Sequence, residues 1–245
     1  MITIVCTYFD RQKQLNKTLE SFLQYDPKEF SVVIVDDGSP EDIILPELPF
    51  KVKVLKMKNK TWMLGDPAWN TGFAEALKDN PDIIIIQNAE CYHNGDILQY
   101  AKRVTDKSYI SFGCYSLGQD DEFKVVNNRH INYDGENAWY NHPLYWPCGY
   151  HFCSAITAKN LIKLNGFDER FSFGLGYDDD YFLHQVRCLG LKVEITSEPF
   201  VFHQWHYNTT RPRSWGGLME MNWELFEKLK ERNEYKARHL ITSDL

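Results

Sequence analysis

The sequence predicts an α/β fold in which an open, mostly parallel central sheet is flanked by helices. Strand-like and helix-like segments alternate through the first half of the chain. The strand-like segments are continuously apolar, which is typical of parallel strands that are covered on both faces. No internal repeat or linker interrupts the 245 residues, so we expect one domain.

The elements of the first half follow from their apolar periods and from the turn residues between them. The four successive isoleucines from Ile83 to Ile86 should occupy the centre of the sheet. Strands are predicted at residues 2–6, 31–35, 52–57 and 82–87, and helices at 11–25, 68–77 and 95–104.

The second half has a different pattern, with short strand-like pieces and many aromatic residues after Ser108. Helices are predicted at 158–164 and 179–189, a strand at 192–195, and a last helical stretch at 215–238. Apolar residues in that last stretch indicate packing on the sheet, although a peripheral contact with a membrane surface or a partner stays open.

Charge and composition exclude several classes of protein. The net charge of −7 and the isoelectric point near 5.6 argue against a nucleic-acid partner, because nucleic-acid binders normally present a basic face. No apolar run approaches the roughly 20 residues that cross a bilayer, and the first residues lack the basic and apolar regions of a signal peptide. We therefore expect a cytoplasmic protein whose six scattered cysteines are reduced thiols.

Ligands of open parallel sheets bind beyond the carboxyl ends of the strands. Polar side chains stand at three such places in this chain: Thr7, Tyr8, Asp36, Asp37, Asn88 and Glu90. Asp36 and Asp37 could accept hydrogen bonds from a ribose or a base edge, although Asp-Gly-Ser is also an ordinary turn sequence.

Asn88 and Glu90 present two oxygen ligands of the kind that Mg²⁺ and Mn²⁺ prefer, and such a cation could bridge the phosphates of a diphosphate. His203 and His206 lie three residues apart near a later strand end, where one imidazole could complete the metal shell. The alternatives are an incidental glutamate in a loop and packed, hydrogen-bonded histidines.

Asp178, Asp179 and Asp180 stand at the start of the helix predicted at 179–189. Capping and the helix dipole favour acidic residues in a first helical turn, so one or two of them need no further role. Three in succession repel one another, which tends to raise the pKa of at least one carboxyl group and makes it a candidate general base.

Several common α/β chemistries lack their motifs in this chain. No GxGxxG follows the first strand, and neither a GxxxxGK[ST] loop nor a GxSxG elbow occurs. A dinucleotide redox enzyme, a P-loop protein and a serine hydrolase are therefore set aside.

Taken in order, the motifs TYFDR, VVIVDDGS, WNTG, IIIIQNAE, NGFDERF and GYDDD and a late histidine resemble the family 2 glycosyltransferases of GT-A fold. The resemblance extends from Ile2 to about His206 and lies in the order and spacing of the motifs. It implies an inverting transferase that moves a sugar from a nucleotide-diphosphate donor, often UDP-linked, to an acceptor hydroxyl. We expect a glycan acceptor, a divalent metal cofactor (Mn²⁺ or Mg²⁺), and a role in polysaccharide biosynthesis.

The resemblance also implies roles for individual residues. The general base falls on Asp179, with Asp178 beside it, and the metal ligands fall on Glu90 and His203. The nucleotide-binding set is Thr7, Tyr8, Arg11, Asp36, Asp37, Asn70 and Asn88. We expect weaker contacts to the acceptor or the phosphates from Trp205, His206, Arg211 and Arg213.

On this interpretation a single catalytic domain has a nucleotide-binding half at 1–107, an acceptor and catalytic half at 108–210, and a C-terminal loop and helix at 211–245. Two motifs depart from the family pattern. Asn88 and Glu90 replace the two aspartates of its DXD motif, and Trp69 stands where an arginine often precedes the residue equivalent to Asn70, so a base could be stacked instead. The alternatives are a catalytically silent nucleotide-sugar or glycan binding module and a sugar-phosphate nucleotidyltransferase.

Overall fold

One mixed sheet runs through both halves of the chain. The computed structural model describes residues 1–120, 122–130, 136–207 and 215–245. Within these ranges the strands are β1 (Ile2–Tyr8), β2 (Phe30–Asp36), β3 (Lys51–Lys56), β4 (Ile83–Asn88), β5 (Cys91–Asn94), β6 (Ser108–Ser116), β7 (Ala138–Asn141), β8 (Cys153–Thr157) and β9 (Lys192–His203). The helices are α1 (Gln12–Ser21), α2 (Asp66–Leu77), α3 (Ile97–Ala101), α4 (Ala158–Leu164), α5 (Asp178–Cys188) and α6 (Trp215–Glu231), with 3₁₀ turns at Phe22–Gln24 and Phe171–Phe173.

The strand order is β3-β2-β1-β4-β8-β6-β9-β5, with β7 paired to β6. The first four strands are mutually parallel, which confirms the α/β arrangement predicted for the first half, and β4 lies near the centre of the sheet as expected. The second half adds β8 antiparallel to β4, and β9 parallel to β6.

Alternate strand residues face two separate apolar clusters, one on each side of the sheet. Ile4 and Ile85 belong to the cluster that holds Leu15 of α1, whereas Val5 belongs to the cluster that holds Phe73 of α2. Gly72 allows α2 to lie directly on the sheet, because a Cβ atom at this position would approach Val5 Cγ1 to 2.6 Å. Burial on both faces explains the continuous apolar strands of the sequence.

The registers bring the candidate site residues to one edge of the sheet. Tyr8 pairs with Asp36, and Thr7 pairs with Asn88, so the ends of β1, β2 and β4 are adjacent. This edge is where the sequence predicted ligand binding.

The structure differs from the sequence prediction at three elements. Strand β5 follows Glu90 directly and was not predicted, and β9 extends to His203 instead of ending near residue 195. The last helix ends at Glu231, before the predicted residue 238. All six cysteines are free thiols. No helix in the described ranges combines the length and the apolarity that spanning a membrane requires.

Candidate active site

Glu90 lies at the junction of two strands that are distant in sequence. It follows β4, and the next residue, Cys91, pairs with His203 at the end of β9. The backbone nitrogen and Nε2 of Gln204 both donate to the backbone oxygen of Glu90, each at 3.1 Å. The pairing of β5 with β9 therefore holds Glu90 beside the histidines at and after the end of β9.

Three nitrogen-bearing side chains face one oxygen of Glu90. Arg11 Nη1 donates to Glu90 Oε1 at 2.5 Å, and Nε2 of His203 and Nε2 of His206 lie 3.3 and 3.7 Å from the same oxygen. The Glu90 side chain is 3% exposed. The structure thus brings the two predicted metal ligands together and adds His206, which the sequence offered only as an alternative imidazole to His203 and as a weak acceptor or phosphate contact.

The groups around Glu90 determine its ionisation. Burial raises the pKa of this carboxyl group, but the Arg11 guanidinium and the two imidazoles outweigh burial and hold the pKa of Glu90 well below its usual range. Burial, together with the Arg11 charge, lowers the pKa of His206 to about 4, so this imidazole is neutral near pH 7. A carboxylate and a neutral imidazole are the forms of these groups that bind metals.

Glu90, His203 and His206 fit a divalent cation. Two ligands held about 2.1 Å from one ion at tetrahedral or octahedral angles lie about 3.0–3.4 Å apart, which the separations of 3.3 and 3.7 Å approach. His206 Nδ1 lies 3.1 Å from the backbone oxygen of Tyr207, which favours a proton on Nδ1 and leaves the Nε2 lone pair towards Glu90. The two imidazoles favour Mn²⁺ over Mg²⁺, which prefers oxygen ligands.

A pocket of about 170 Å³ opens beside this cluster, at the carboxyl ends of β1 and β4. Five of the seven predicted nucleotide-binding residues line it: Thr7, Tyr8, Arg11, Asp37 and Asn88. Glu90 contributes to the same wall, so the pocket and the metal-ligand set are continuous.

The two aspartates that follow β2 are held by neighbouring donors. Asp37 is buried and accepts hydrogen bonds from Trp62 Nε1 at 2.8 Å and from Lys60 Nζ at 2.5 Å. Asp36 is 1% exposed and accepts from the backbone nitrogen of Ser39 at 2.7 Å. Asp36 therefore shapes the turn, and Asp37 is the member of the pair that reaches the pocket.

Asn70 and Trp69 have structural surroundings that differ from the sequence interpretation. Asn70 Nδ2 donates to the backbone oxygen of Phe167 and to Glu169 Oε1, and its Oδ1 accepts from the Phe167 backbone nitrogen. Trp69 is 5% exposed, and its indole forms a cluster of near-parallel rings with Phe73 and Phe167, at centroid distances of 6.0 and 5.8 Å. The Asn70 amide is thus engaged within the protein, and the Trp69 ring is part of the core instead of a stacking surface for a base.

The three aspartates at the start of α5 have different surroundings. Asp179 Oδ1 lies 2.9 Å from His151 Nδ1, and Asp180 Oδ1 accepts a hydrogen bond from Tyr150 Oη at 2.6 Å. Burial, followed by the Asp179 charge, raises the pKa of Asp178 to about 7. Burial thus contributes more to this shift than the crowding that the sequence suggested. The Asp179 side chain is 34% exposed and can be reached by a substrate.

Asp66, at the start of α2, is a buried carboxyl group that sequence reasoning does not identify. Its Oδ2 accepts from Ser172 Oγ at 2.8 Å, and its Oδ1 has no hydrogen-bond partner among the described residues. Burial, followed by the charge of Asp178, raises the pKa of Asp66 well above its usual range. An aspartate before Pro67 at a helix start is an ordinary sequence pattern, so nothing in the sequence indicated that this carboxyl group is buried.

The segment from Tyr150 to Phe152 connects the α5 aspartates with the Glu90 cluster. His151 contacts Asp179, while the ring of the next residue, Phe152, lies 6.2 Å from the His203 ring. The backbone oxygen of Phe152 also accepts from the Asn88 backbone nitrogen at 3.1 Å. One short stretch of chain therefore contacts both the α5 aspartates and the surroundings of the Glu90 cluster. No sequence motif indicated His151.

A wider cleft of about 500 Å³ shares Arg11 with the smaller pocket. His206, Trp205 and Tyr207 form part of its wall, and the Trp205 and Tyr207 rings meet edge to face at 4.5 Å. Arg211 and Arg213, which the sequence placed near the phosphates, lie outside the described residues.

Comparison with protein families gives one match that covers most of the chain. The sequence model of the family described as glycosyl transferase family 2 matches residues 3–161. A comparison with curated proteins gave no match.

Solved structures of similar fold have low sequence identity to this chain. The S. aureus TarS fragment 1–349 in complex with UDP-GlcNAc has a TM-score of 0.63 at 12% identity, over 90% of this chain and 64% of that one. GalNAc-T7 with UDP, GalNAc and Mn²⁺ has a TM-score of 0.65 at 12% identity, over 96% of this chain and 50% of that one. The catalytic domain of Drosophila β1,4-galactosyltransferase 7 with xylobiose has a TM-score of 0.57 at 16% identity, over 91% and 79%.

The chain spans only part of some of these proteins, with 36% of the TarS chain and 60% of its fragment 1–349 in complex with UDP covered. The similarity establishes the GT-A architecture: a curled sheet flanked by helices.

Proposed function

Because the chain belongs to glycosyl transferase family 2, we propose that this glycosyltransferase moves a sugar from a UDP-linked donor to a hydroxyl group of a glycan, with inversion at the anomeric carbon. The observation that carries the proposal is the convergence of Glu90, His203 and His206 beside a pocket lined by Thr7 and Asn88. A buried carboxylate and two imidazoles at the edge of a polar pocket suit a diphosphate that is held through a cation.

The nucleotide binds, on this proposal, in the pocket at the carboxyl ends of β1 and β4, within the half at 1–107. Asp37 and Asn88 offer an acceptor and an amide to the nucleoside, and Arg11 offers a guanidinium to the phosphates. UDP-GlcNAc in the TarS fragment and UDP with Mn²⁺ in GalNAc-T7 support a UDP-linked donor for a chain of the same fold.

Glu90, His203 and His206 would hold the cation, for which we propose Mn²⁺. When bound, a divalent cation stabilises the negative charge of the departing diphosphate. Glu90 contributes a carboxylate whose ionised state its neighbours maintain, and His206 contributes a neutral imidazole. Asn88, two residues before Glu90, assists metal binding indirectly, by binding the nucleotide whose phosphates the cation contacts.

Asp179 would act as the general base. Its side chain is exposed enough to meet an acceptor hydroxyl, and it can remove the hydroxyl proton as the oxygen attacks the anomeric carbon. A single in-line displacement inverts the configuration at that carbon. His151 Nδ1 lies beside one carboxylate oxygen, and the other oxygen would meet the acceptor.

The acceptor glycan would enter through the cleft that Trp205 and His206 help to form, in the half at 108–210. Aromatic rings and polar groups together suit the alternating apolar and hydroxyl surfaces of a sugar. Xylobiose in the Drosophila galactosyltransferase supports a glycan acceptor for this fold.

Incubation of the purified protein with a panel of UDP-sugars and glycan acceptors tests the proposal. We expect UDP release in Mn²⁺ that stops when a chelator is added, and a product whose anomeric configuration, read by NMR, is opposite to that of the donor. Retained configuration would refute the inverting mechanism. Binding of UDP-sugars without turnover over the whole panel would favour a silent binding module.

A further inference from the structure

The Arg11 guanidinium lies beside the Glu90 oxygen that a bound cation would also contact. Arg11 Nη1 lies 2.5 Å from Glu90 Oε1, the same oxygen that His203 Nε2 and His206 Nε2 face at 3.3 and 3.7 Å. A buried carboxylate is costly unless a positive group neutralises it. In the structure Arg11 supplies that charge.

The two members of this ion pair differ in their freedom to separate. The Glu90 side chain is 3% exposed and is anchored by the β5–β9 pairing, whereas the Arg11 side chain is 29% exposed. Arg11 precedes α1 in a loop, and within the described part of the chain it forms no other ion pair. The guanidinium can therefore leave towards solvent or towards the pocket, while Glu90 stays in place.

We propose that Arg11 is the displaceable counter-ion of Glu90, so that the guanidinium and a divalent cation compete for the same carboxylate oxygen. The inference rests on the proposed metal-dependent function and deepens it by naming the residue that sets metal affinity. Two positive groups at one oxygen repel each other, and the charge-assisted hydrogen bond from Arg11 Nη1 must be broken before the cation can bind. Arg11 lines both the nucleotide pocket and the wider cleft, so its displaced guanidinium remains beside the donor phosphates.

The test is calorimetric titration of Mn²⁺ into the protein without nucleotide, for wild type, Arg11→Gln and Lys13→Gln. We expect Arg11→Gln to bind Mn²⁺ about 10- to 100-fold more tightly, since a charge-assisted hydrogen bond no longer competes. Lys13 is the matched control, because it is a cation at the exposed start of α1 and lines the same cleft but does not contact Glu90. Lys13→Gln should bind Mn²⁺ within about twofold of wild type, as expected for a screened surface charge.

Each outcome of the titration has a distinct meaning. Equal or weaker Mn²⁺ binding by Arg11→Gln, with wild type binding normally, overturns the competition and leaves the proposed function intact. Binding by Arg11→Gln alone supports the competition and refutes Mn²⁺ as a cofactor of the wild type. Failure of both proteins to bind Mn²⁺ refutes the metal site and the inference together.

A measurement on the wild type guards against an unstable Arg11→Gln variant. Modification of arginines by a dicarbonyl reagent, followed by mass spectrometry, should proceed faster at Arg11 when Mn²⁺ is added, because the guanidinium is released from Glu90. Arg170, which pairs with Asp168 and Glu234 far from these ligands in sequence, is the internal control and should react at an unchanged rate. An Arg11 rate that Mn²⁺ leaves unchanged or lowers, in a protein that binds Mn²⁺, would overturn the proposal.

Discussion

His151 Nδ1 lies 2.9 Å from Asp179 Oδ1, so a residue between the two halves of the site lies beside one oxygen of the proposed base. The neighbouring Asp180 has a different partner, the hydroxyl of Tyr150. Adjacent aspartates of one helical turn therefore have separate surroundings, which allows their roles to be tested individually.

Replacement of Asp179 by Asn should lower kcat by about 10²- to 10⁴-fold, because the acceptor hydroxyl loses its general base. UDP affinity should stay unchanged, since Asp179 does not line the nucleotide pocket. UDP release and calorimetric binding of UDP measure the two effects. Asp180→Asn is the matched control and should retain most of the activity; an equal loss in both variants would argue against Asp179 as the base.

Replacement of His151 by Ala should reduce kcat by about tenfold with little change in the KM for the donor, because a misplaced base affects the chemical step more than donor binding. His151→Gln keeps a donor near Asp179 and should recover part of the rate. Steady-state kinetics with both variants test this. A rise in the donor KM at unchanged kcat would show that His151 contributes to donor binding instead.

The buried carboxyl group of Asp66 and the partly buried one of Asp178 predict a pH-dependent stability. Their folded-state pKa values are raised, so the protonated forms stabilise the fold fully below about pH 4, and this stability is lost as pH rises, through about 7 for Asp178. Asn mimics the protonated acid. The stability of Asp66→Asn and Asp178→Asn relative to wild type should therefore increase between about pH 4 and 8, by roughly 2 kcal/mol.

Thermal melts over this pH range measure the effect, and Asp106→Asn supplies a control of opposite sign. Lys159 lowers the pKa of Asp106, so its ionised form stabilises the fold above about pH 4, and that contribution is lost as pH falls. Asp106→Asn should thus be less stable than wild type by a constant amount from about pH 4 to 8, and this deficit should shrink only below about pH 4. A pH-independent difference for both Asp66→Asn and Asp178→Asn would contradict the protonated carboxyl pair.

Asn70 is predicted to matter for stability more than for nucleotide binding. Asn70→Ala removes three hydrogen bonds that tie α2 to Phe167 and Glu169, which should cost about 2–3 kcal/mol of unfolding free energy. Thr71→Ala, which loses one bond to the backbone oxygen of Pro67, is the matched control and should cost less than about 1 kcal/mol. Urea unfolding measures both. Loss of UDP binding in a folded Asn70→Ala protein would restore the nucleotide role.

The first half of the fold follows from the sequence because its signals are local. Continuous β-branched strands and amphipathic helices specify the parallel unit β1 to β4, and its register places Thr7, Asp37 and Asn88 at one edge. The resemblance to the transferase family supplied Glu90 and His203 as a pair. The sequence could not supply the reason for their proximity, since β5 has only four residues and pairs with a strand more than a hundred positions away.

The residues that sequence reasoning missed or placed differently depend on tertiary contacts. Asp66 has the pattern of a helix start, yet it is buried against Ser172 and α5. Asn70 has the position of a family motif, yet internal acceptors and donors engage its amide. The fit of His206 depends on the path of the chain after β9, which no periodicity predicts.

The most direct test of the proposed metal-assisted transfer is calorimetric titration of UDP into wild type and His203→Ala, each with and without Mn²⁺. If Glu90, His203 and His206 hold the cation against the diphosphate, Mn²⁺ should raise UDP affinity by at least about tenfold in wild type and have little effect in His203→Ala. The same Mn²⁺ enhancement in both proteins, or none in wild type, would contradict a metal site at these residues.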